Sequence, residues 1–156
     1  MEIKLKPIGV IHSPFKTRED AIKEKGKETA GQIEVFKEFE QGLEDIDGFS
    51  HIIIVWLLHK SEGYSLKVKP LHYEGLSGVF ATRHPNRPNP LGVTVVELVK
   101  RNRNILKVKG IDTLDETPLL DIKPYVEYFD SRDDVKSGWL EKHFADGSIP
   151  EGTIIG

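Results

Sequence analysis

The sequence predicts an all-β fold, a small β-barrel of about seven or eight strands followed by a short C-terminal helix. Short apolar or alternating segments recur at close intervals along the chain, and polar turns separate them. Apolar residues at helix spacing are confined to the tail, which argues against alternating strand–helix units. A chain of 156 residues is expected to form one domain over residues 1–156, with a helical tail over 133–156.

The N-terminal third is predicted to hold two short strands joined by a long loop. Ile8 to His12 forms the first strand, and Ser13-Pro14 ends it because a residue before proline is driven out of the helical region. Lys16 to Gly31 is highly charged without an apolar period, so we expect a loop of a length typical of functional or disordered segments. Gln32 to Phe36 then forms a strand, and Glu40 to Ile46 a single helical turn.

The central strands begin with His51 to Leu58, whose continuous run of β-branched and aromatic residues predicts a strand buried on both faces. Tyr64 to Lys69 alternates apolar and polar residues, which is the period of a half-buried strand. Three further strands are predicted over Ser77 to Thr82, Val93 to Val99 and Ile105 to Ile111.

The last predicted elements are a hairpin turn, a final strand and the tail. Arg101 to Asn104 is polar and lies between two predicted strands, which indicates a hairpin. Leu119 to Tyr125 adds a strand that Pro124 limits. A helix is predicted within Asp133 to Phe144, because four apolar residues there fall at helix spacing. These are Val135, Trp139, Leu140 and Phe144.

The composition excludes several classes of function. The chain has no cysteine, which removes thiol catalysis, disulfides and thiolate metal sites. The longest apolar run, Ile52 to Leu58, is far shorter than the ~20 residues of a membrane helix, and no secretion signal pattern is present. We therefore expect a cytoplasmic protein without a membrane segment. The net charge of −3 argues against a nucleic-acid partner unless basic residues are concentrated locally.

The segment Gly78 to Gly92, GVFATRHPNRPNPLG, has the composition of a ligand-binding loop. Between Thr82 and Pro90 it has three prolines, two asparagines, two arginines and a histidine. Prolines stiffen the backbone, so the loop loses little entropy when a ligand docks, and arginine offers a planar fork for carboxylates or phosphates. A corner that only turns the chain rarely needs these side chains, so we interpret the loop as one wall of an anion or nucleotide pocket.

Two other polar clusters are weaker candidates. The first has four carboxylates in ten residues, Asp112, Asp115, Glu116 and Asp121. These side chains either orient a hydroxyl, an amine or a sulfonium, or cap turns by accepting from backbone amides, and spacing does not separate the two interpretations. In the second cluster, His59 and Lys60 follow the long apolar strand at the expected rim of the barrel. A histidine there is either a ligand contact or a satisfied structural residue.

Neither a metal site nor a Rossmann cofactor site is predicted. The histidines are scattered without the paired spacing of metal ligands, and no glycine-rich phosphate motif is present. A nucleotide-like cofactor would therefore have to bind away from a Rossmann turn.

Four motifs, in order, resemble those of one family. They are Ile8 to Ile11 with Ser13 to Phe15, Gly42-Leu43 through Asp47 to His51, the Gly78 to Gly92 segment, and Asp121 to Tyr125. The pattern resembles the tRNA methyltransferases that act on N6-threonylcarbamoyladenosine at position 37, beside the anticodon, the TrmO/TsaA-like β-barrel proteins. The resemblance covers about Ile8 to Tyr125, most of the chain.

The resemblance implies an S-adenosyl-L-methionine-dependent enzyme on a β-barrel, acting as a homodimer and methylating N6 of the modified adenosine in tRNA. The charged loop is expected to approach the cofactor at Lys23 to Lys25. The family usually has Asp-Gly-Thr-Pro where this chain has Asp115-Glu116-Thr117-Pro118. Glutamate in the place of glycine removes easy access to a positive φ. The cofactor contacts implied by matching motifs are His59, Lys60, Arg83, Val93, Asp115, Glu116, Thr117 and Pro118.

On that resemblance, catalysis consists largely of alignment and exclusion of water. We hypothesise that Arg83 faces the cofactor, while Arg87, with Asn89, holds the threonyl carboxylate or a backbone phosphate. Arg87 and Asp112 are nominated as catalytic, and Asp115 and His59 remain alternatives to Asp112 as the proton acceptor near N6.

Two functions of other classes compete with the enzyme. A non-catalytic barrel that binds S-adenosyl-L-methionine or a related nucleoside would need the same pocket. An RNA-binding adaptor without a cofactor is disfavoured by the charge and by the lack of exposed aromatic stacking motifs.

Overall fold

The computed structural model describes residues 1–24, 28–70 and 73–147, and its strands form a closed barrel beside a two-stranded ladder. The strands are β1 (Gly9–His12), β2 (Ala30–Val35), β3 (His51–Leu57), β4 (Lys67–Val68), β5 (Ser77–Gly78), β6 (Leu91–Asn102), β7 (Ile105–Lys109) and β8 (Thr117–Pro124). The barrel order is β1-β2-β7-β6-β3-β8, and each neighbouring pair is antiparallel. The predicted all-β barrel with a short C-terminal helix is confirmed.

The helices among the described residues are short, and they connect or follow the strands. The α-helices are α1 (Arg18–Glu24), α2 (Glu127–Asp130) and α3 (Glu141–Asp146). Four 3₁₀ segments cover Lys37–Leu43, Ile46–Gly48, Val79–Ala81 and Gly138–Leu140. Within residues 1–24, 28–70 and 73–147, no helix has the length and apolar character needed to cross a membrane.

The core lies inside the barrel because successive residues of each strand point to opposite faces. On β3, for example, Ile52, Ile54 and Trp56 are buried, while their neighbours are half-buried. Burying one such side chain stabilises the fold by about 1.5–3 kcal/mol, which offsets the entropy lost in ordering the strands. The main buried cluster contains Ile11, Ile33, Val35, Leu43, Ile46, Ile52, Ile54, Trp56, Val96, Leu106, Val108, Ile111 and Leu119.

Three long connections meet at one end of the barrel. The register pairs Leu57 with Leu91, at the end of β3 and the start of β6, and pairs Ala30 with Lys109 across β2 and β7. The connections β1–β2, β3–β6 and β7–β8 therefore leave and enter at the same end. The β6–β7 hairpin, with Arg103 at φ +56°, lies at the opposite end and confirms the turn predicted over 101–104. A site built from loops is accordingly expected at the first end.

Two predictions about the N-terminal half are wrong in part. Residues 16–31 are not a continuous loop, because α1 forms within them and β2 begins at Ala30. The Oγ1 of Thr17 accepts the Asp20 N–H at 3.2 Å and so caps the start of α1. The strand at 51–58 is not buried on both faces, since the outer face of a barrel strand lacks a second layer, and Ile53 and Val55 are only half-buried.

The ladder and the tail also differ from prediction. Only Lys67–Val68 of the 64–69 segment is a strand, and Tyr64 and Leu66 are 63% and 62% exposed because their segment pairs only with β5. The strand predicted over 77–82 ends at Gly78. Val79–Ala81 forms a 3₁₀ helix instead, and Val79 is buried.

The helical turn predicted over 40–46 is instead a 3₁₀ segment over Lys37–Leu43, and the backbone reverses at Asp45, whose φ is +70°. Within the tail, regular helix is limited to Gly138–Leu140 and α3, and positive φ values at Asp134 and Gly138 interrupt the 133–144 pattern. Residues 148–156 of the predicted tail lie outside the described residues.

Candidate functional site

The proline-rich part of the Gly78 to Gly92 segment holds its own shape. The buried Thr82 hydroxyl donates to the Val79 carbonyl at 2.8 Å. The Nη1 of Arg87 donates to the carbonyls of Thr82 and His84 at 2.9 and 3.2 Å, and the Asn86 N–H donates to His84 Nδ1 at 3.1 Å. These bonds, together with the prolines, give the loop a defined backbone before any ligand is present.

Two adjoining cavities open at the loop end of the barrel. The first, of about 230 Å³, lies between α1, the residues after β3 and the β7–β8 connection. It is lined by Arg18, Ala21 and Ile22 of α1 and, among other residues, by His59 and Lys60. The second, of about 480 Å³, lies along the start of β6. Its lining includes Thr82, Arg83, Arg87, Val93 and Thr94.

Trp56, Leu58 and Asp112 line both cavities and form the wall that the cavities share. The indole Nε1 of Trp56 donates to Thr94 Oγ1 at 3.0 Å, and this hydroxyl donates to Asp112 Oδ1 at 2.7 Å. We call these three residues the Trp56–Thr94–Asp112 chain. It places a carboxylate of fixed orientation between the two cavities.

Gly92 is required by the position of the Trp56 indole. A Cβ at Gly92 would lie 2.3 Å from Cζ2 and 2.4 Å from Cε2 of Trp56, far inside van der Waals contact. Because Gly92 pairs with Trp56 across β3 and β6, the indole lies directly over the bare backbone. The glycine that ends the motif therefore shapes the wall of the site.

Cationic side chains lie near two histidines at the loop end of the barrel. Burial lowers the pKa of His59, and the charge of Lys60 lowers it further. Burial also lowers the pKa of His84, with further contributions from Arg18 and Arg87. Both imidazoles are thus held toward the neutral form beside a group of fixed cations.

Arg101 and Arg103 do not extend this group of cations within one chain. They lie at the hairpin end of β6, opposite the cavities. Arg101 is eight residues beyond Val93 along this strand, and each residue adds a rise of roughly 3.3 Å. The Arg101 guanidinium donates to the carbonyls of Arg103 and Leu43 at 2.8 and 3.1 Å. Their role at that end is to close the hairpin.

Asp115 holds two parts of the chain together. Its Oδ1 accepts the Ser13 N–H at 2.9 Å, and its Oδ2 accepts from Lys16 Nζ. The hydrogen bond from Lys16 is the main reason that the pKa of Asp115 is lowered, and the Ser13 N–H adds to this effect. For this residue the structure shows the turn chemistry that was one of the two interpretations, since the carboxylate ties the end of β1 to the β7–β8 connection.

Glu116 adopts a left-handed backbone conformation, which favours glycine. Its φ is +62°, and this conformation costs strain in an L-residue. The side chain is exposed, and its charge acts on His59 and Lys16. The chain therefore has a positive φ at the position where the resemblance leads us to expect glycine.

The structure brings together only part of the predicted site. Of those residues, His59, Lys60, Asp112 and Thr117 line the first cavity, and Arg83, Arg87, Val93 and Asp112 line the second. Asn89, Asp115, Glu116 and Pro118 are not in the lining of either cavity. Lys23 lies on α1 outside the lining, and Lys25 lies outside the described residues.

Several lining residues were not predicted. Arg18 and Ile22 reach the first cavity because α1 forms, and the Thr17-Arg18-Glu19-Asp20 capping pattern was a signal for that helix. Trp56 and Thr94 gave no signal, because each belongs to a strand whose apolar pattern is satisfied by a purely structural role.

Exposed aromatic side chains are present, contrary to expectation. Tyr128 and Phe129 on α2 are 88% and 65% exposed, with ring centroids 5.5 Å apart. They lie beside Glu127 and Asp130 at the barrel end opposite the cavities, so their surroundings do not attract phosphate. In the residues that the structure describes, no group of three or more His, Cys, Asp or Glu side chains could hold a metal ion.

The sequence is similar to one protein family and to several of its relatives. The model of the tRNA-methyltransferase O N-terminal domain family matches residues 10–131. A probable S-adenosyl-L-methionine-binding protein of Pyrococcus abyssi is 52% identical over 140 residues, covering 88% of this chain and 76% of that protein. The tRNA (adenine(37)-N6)-methyltransferase of Escherichia coli is 33% identical over 146 residues, covering 86% of this chain and 62% of that enzyme.

A solved structure shares the fold. The crystal structure of TrmO from Pseudomonas aeruginosa superposes with a TM-score of 0.74 at 36% identity, over 88% of this chain and 62% of that chain. This chain therefore corresponds to about three fifths of the E. coli and P. aeruginosa proteins.

Proposed function

The chain belongs to the tRNA-methyltransferase O family, and from that premise we propose that it is an S-adenosyl-L-methionine-dependent tRNA methyltransferase. We propose further that its substrate is N6-threonylcarbamoyladenosine at position 37 and that the methyl group goes to N6. The observation that carries the proposal is the pair of adjoining cavities that share a wall at Asp112. A reaction between two ligands needs two sites in contact, with a polar group at the boundary.

The first cavity suits the adenosine part of the cofactor. Its lining is largely apolar, with the Trp56 indole and a few polar side chains such as His59 and Ser61, which is the composition of a nucleoside pocket. His59, Lys60 and Thr117, which line this cavity, hold this part. Arg83, beside the backbone at Val93, takes the carboxylate of the methionyl part, for which a guanidinium is well suited.

When bound, S-adenosyl-L-methionine supplies a methyl group on a sulfonium, whose carbon–sulfur bond breaks as the nitrogen–carbon bond forms. The chain supplies alignment and a proton acceptor for the N6 hydrogen. Asp112 takes this role in preference to the two alternatives. Asp112 lines both cavities, whereas His59 lines only the first and Asp115 lines neither.

The second cavity receives the modified base. Arg87 lies in its lining, and one nitrogen of its guanidinium already bonds two loop carbonyls, so its charge is held at a defined place. The threonyl carboxylate pairs with this charge, and Asn89 at the exposed side of the loop contacts the adjacent nucleotide. The basic group around the cavities attracts the phosphates of the anticodon loop.

We also propose that the protein acts as a cytoplasmic homodimer. The support is the outer face of β6, where Val93, Val95 and Val99 are 55%, 46% and 52% exposed. A row of exposed apolar side chains on one strand favours a protein contact. Light scattering should give twice the chain mass, and Val99→Glu, at the one valine of the three that is not in the lining of the second cavity, should shift it toward the mass of one chain. A wild-type protein at the mass of one chain contradicts the dimer.

The experiment for the main proposal incubates the protein with methyl-labelled S-adenosyl-L-methionine and tRNA that either carries or lacks the threonylcarbamoyl group. Label should enter only the modified tRNA, and raising the salt concentration should weaken tRNA binding steeply. Label in the unmodified tRNA would contradict the proposed substrate. Cofactor binding without any transfer would contradict the enzyme and support a binding module instead.

A further inference from the structure

The Thr94 hydroxyl occupies the middle of the Trp56–Thr94–Asp112 chain, a position that the motif analysis did not single out. Thr94 points into the barrel from β6, two residues after Gly92, and pairs with Ile54 of β3. Its Oγ1 lies 3.0 Å from Trp56 Nε1 and 2.7 Å from Asp112 Oδ1. The three residues come from β6, β3 and the β7–β8 connection, so the barrel closure itself brings them together.

The direction of the hydrogen bonds follows from the donors available. An indole N–H can only donate, so Trp56 occupies an acceptor position on the Thr94 oxygen. The single hydroxyl hydrogen of Thr94 is then directed to Asp112, whose carboxylate accepts it. Thr94 therefore presents a fixed donor to Oδ1 and restricts rotation of the carboxylate within the shared wall.

We infer that Thr94 is a positioning residue that holds the Asp112 carboxylate at the boundary of the two cavities, in the orientation that accepts the N6 proton. This inference rests on the proposed function, in which Asp112 is the acceptor. Proton transfer requires hydrogen-bond reach to the reacting group, and a misplacement of about 1 Å lowers a rate by roughly a hundredfold. In this role Thr94 acts through Asp112, although its side chain also lines the second cavity.

A purely structural role for Thr94 gives different expectations. If the hydroxyl only satisfied the buried Trp56 N–H, its loss would destabilise the fold and loosen the cofactor site, because Trp56 lines both cavities. The positioning role lowers kcat while the affinity for the cofactor is kept. The two roles are therefore separated by measuring cofactor binding and transfer in the same variants.

The test compares Thr94→Val, which removes the hydroxyl at nearly constant shape, with Thr94→Ser, which keeps it. Calorimetric binding of S-adenosyl-L-homocysteine and steady-state transfer to modified tRNA are measured for each protein. We expect Thr94→Val to lower kcat by about tenfold to a hundredfold, with KM and the cofactor Kd within about twofold. Thr94→Ser should restore kcat to within a fewfold of wild type, since its hydroxyl can donate again.

A double-mutant cycle tests whether Thr94 acts through Asp112. In an Asp112→Asn background the carboxylate is already lost, so Thr94→Val should add little further loss of kcat. Losses that multiply would overturn the inference, as would a wild-type kcat in Thr94→Val or a parallel loss of kcat and cofactor binding. If Thr94→Val does not fold, Thr94→Ala replaces it in the same comparisons.

The outcomes also separate the inference from the proposed function. A wild-type protein that transfers no methyl group overturns the proposed function and this inference with it. A wild-type protein that is active, with an equally active Thr94→Val, overturns the inference alone.

Discussion

The substitution Gly92→Ala adds one methyl group at the wall of the site and should destabilise the protein markedly. The new Cβ would lie 2.3, 2.4 and 2.6 Å from Cζ2, Cε2 and Cη2 of Trp56, where carbon atoms normally keep about 3.5–4.0 Å. The indole is 5% exposed, and its Nε1 is held by the hydrogen bond to Thr94. It must therefore shift by about 1 Å, or β6 must bend away from β3.

The magnitude follows from three contributions. Overpacking a filled core costs about 1–3 kcal/mol. The shift of the indole weakens the Trp56–Thr94 hydrogen bond, which is worth about 0.5–1.5 kcal/mol. Replacing a strand glycine by alanine returns about 0.5–1 kcal/mol of backbone entropy. The net loss in the free energy of unfolding is about 0.5–4 kcal/mol with a centre near 2 kcal/mol, and this central value corresponds to a fall in Tm of about 4–8 °C for a chain of this size.

The assay is urea unfolding followed by circular dichroism, with calorimetric binding of S-adenosyl-L-homocysteine as a second measurement. Gly78→Ala is the matched control from the same segment, because a Cβ there meets nothing within 4 Å and its φ of −59° suits alanine. The control should be within about 0.5 kcal/mol of wild type or slightly more stable. A Gly92→Ala protein as stable as wild type would mean that the contact with Trp56 does not limit the side chain at this position. An equal loss of stability in Gly78→Ala would mean the same.

Three further predictions concern strain and pH. Glu116→Gly should relieve the strain of a φ of +62°. After the greater chain entropy of glycine in the unfolded state is subtracted, the free energy of unfolding, measured by urea unfolding, should rise by about 0.5–1 kcal/mol. Glu116→Ala should give no gain, because alanine is strained at the same φ. The pKa values of His59 and His84 are lowered, mainly by burial, so the unfolded chain binds more protons below pH 6.5. The Tm of the wild type should then be constant above this pH and fall below it. The Tm of the double variant His59→Gln/His84→Gln should fall less. Because Lys16 lowers the pKa of Asp115 below the usual 3.8, Lys16→Met should be less stable than wild type at pH 7, and the difference should vanish once the pH falls through the lowered value.

Each of these three predictions would be contradicted by one particular result. Equal stability of Glu116→Gly and Glu116→Ala would mean that the strained backbone carries no cost. A pH response that is unchanged in the histidine variant would place the acid sensitivity elsewhere. A Lys16→Met deficit that persists at low pH would mean that the ion pair with Asp115 is not the source of the difference in stability.

Local patterns in the sequence were sufficient to predict the barrel class and the hairpin between β6 and β7. The β6–β7 hairpin follows from a polar turn between two apolar runs, and the stiffness of the Gly78 to Gly92 segment follows from its prolines. Helix α1 was missed because a helix of seven residues completes only about two turns, and Ala21 is its one buried side chain among those described. Its capping threonine was the more reliable signal.

The shared wall of the site could not be predicted, for a physical reason. Trp56 and Asp112 lie 38 and 18 residues from Thr94, and their contact depends on strand register and barrel closure, which no local pattern encodes. Asp115 shows the complementary difficulty. Its spacing suits a ligand contact and a turn equally, and only its bonds to Ser13 and Lys16 reveal the turn.

The most informative single experiment is a crystal structure of the protein with S-adenosyl-L-homocysteine, because the sulfur marks the place where the methyl group is transferred. We expect the adenosine in the first cavity and the sulfur at the wall formed by Trp56, Leu58 and Asp112, facing the second cavity. A sulfur bound away from that wall, or a ligand outside both cavities, would mean that methyl transfer does not take place between the two cavities.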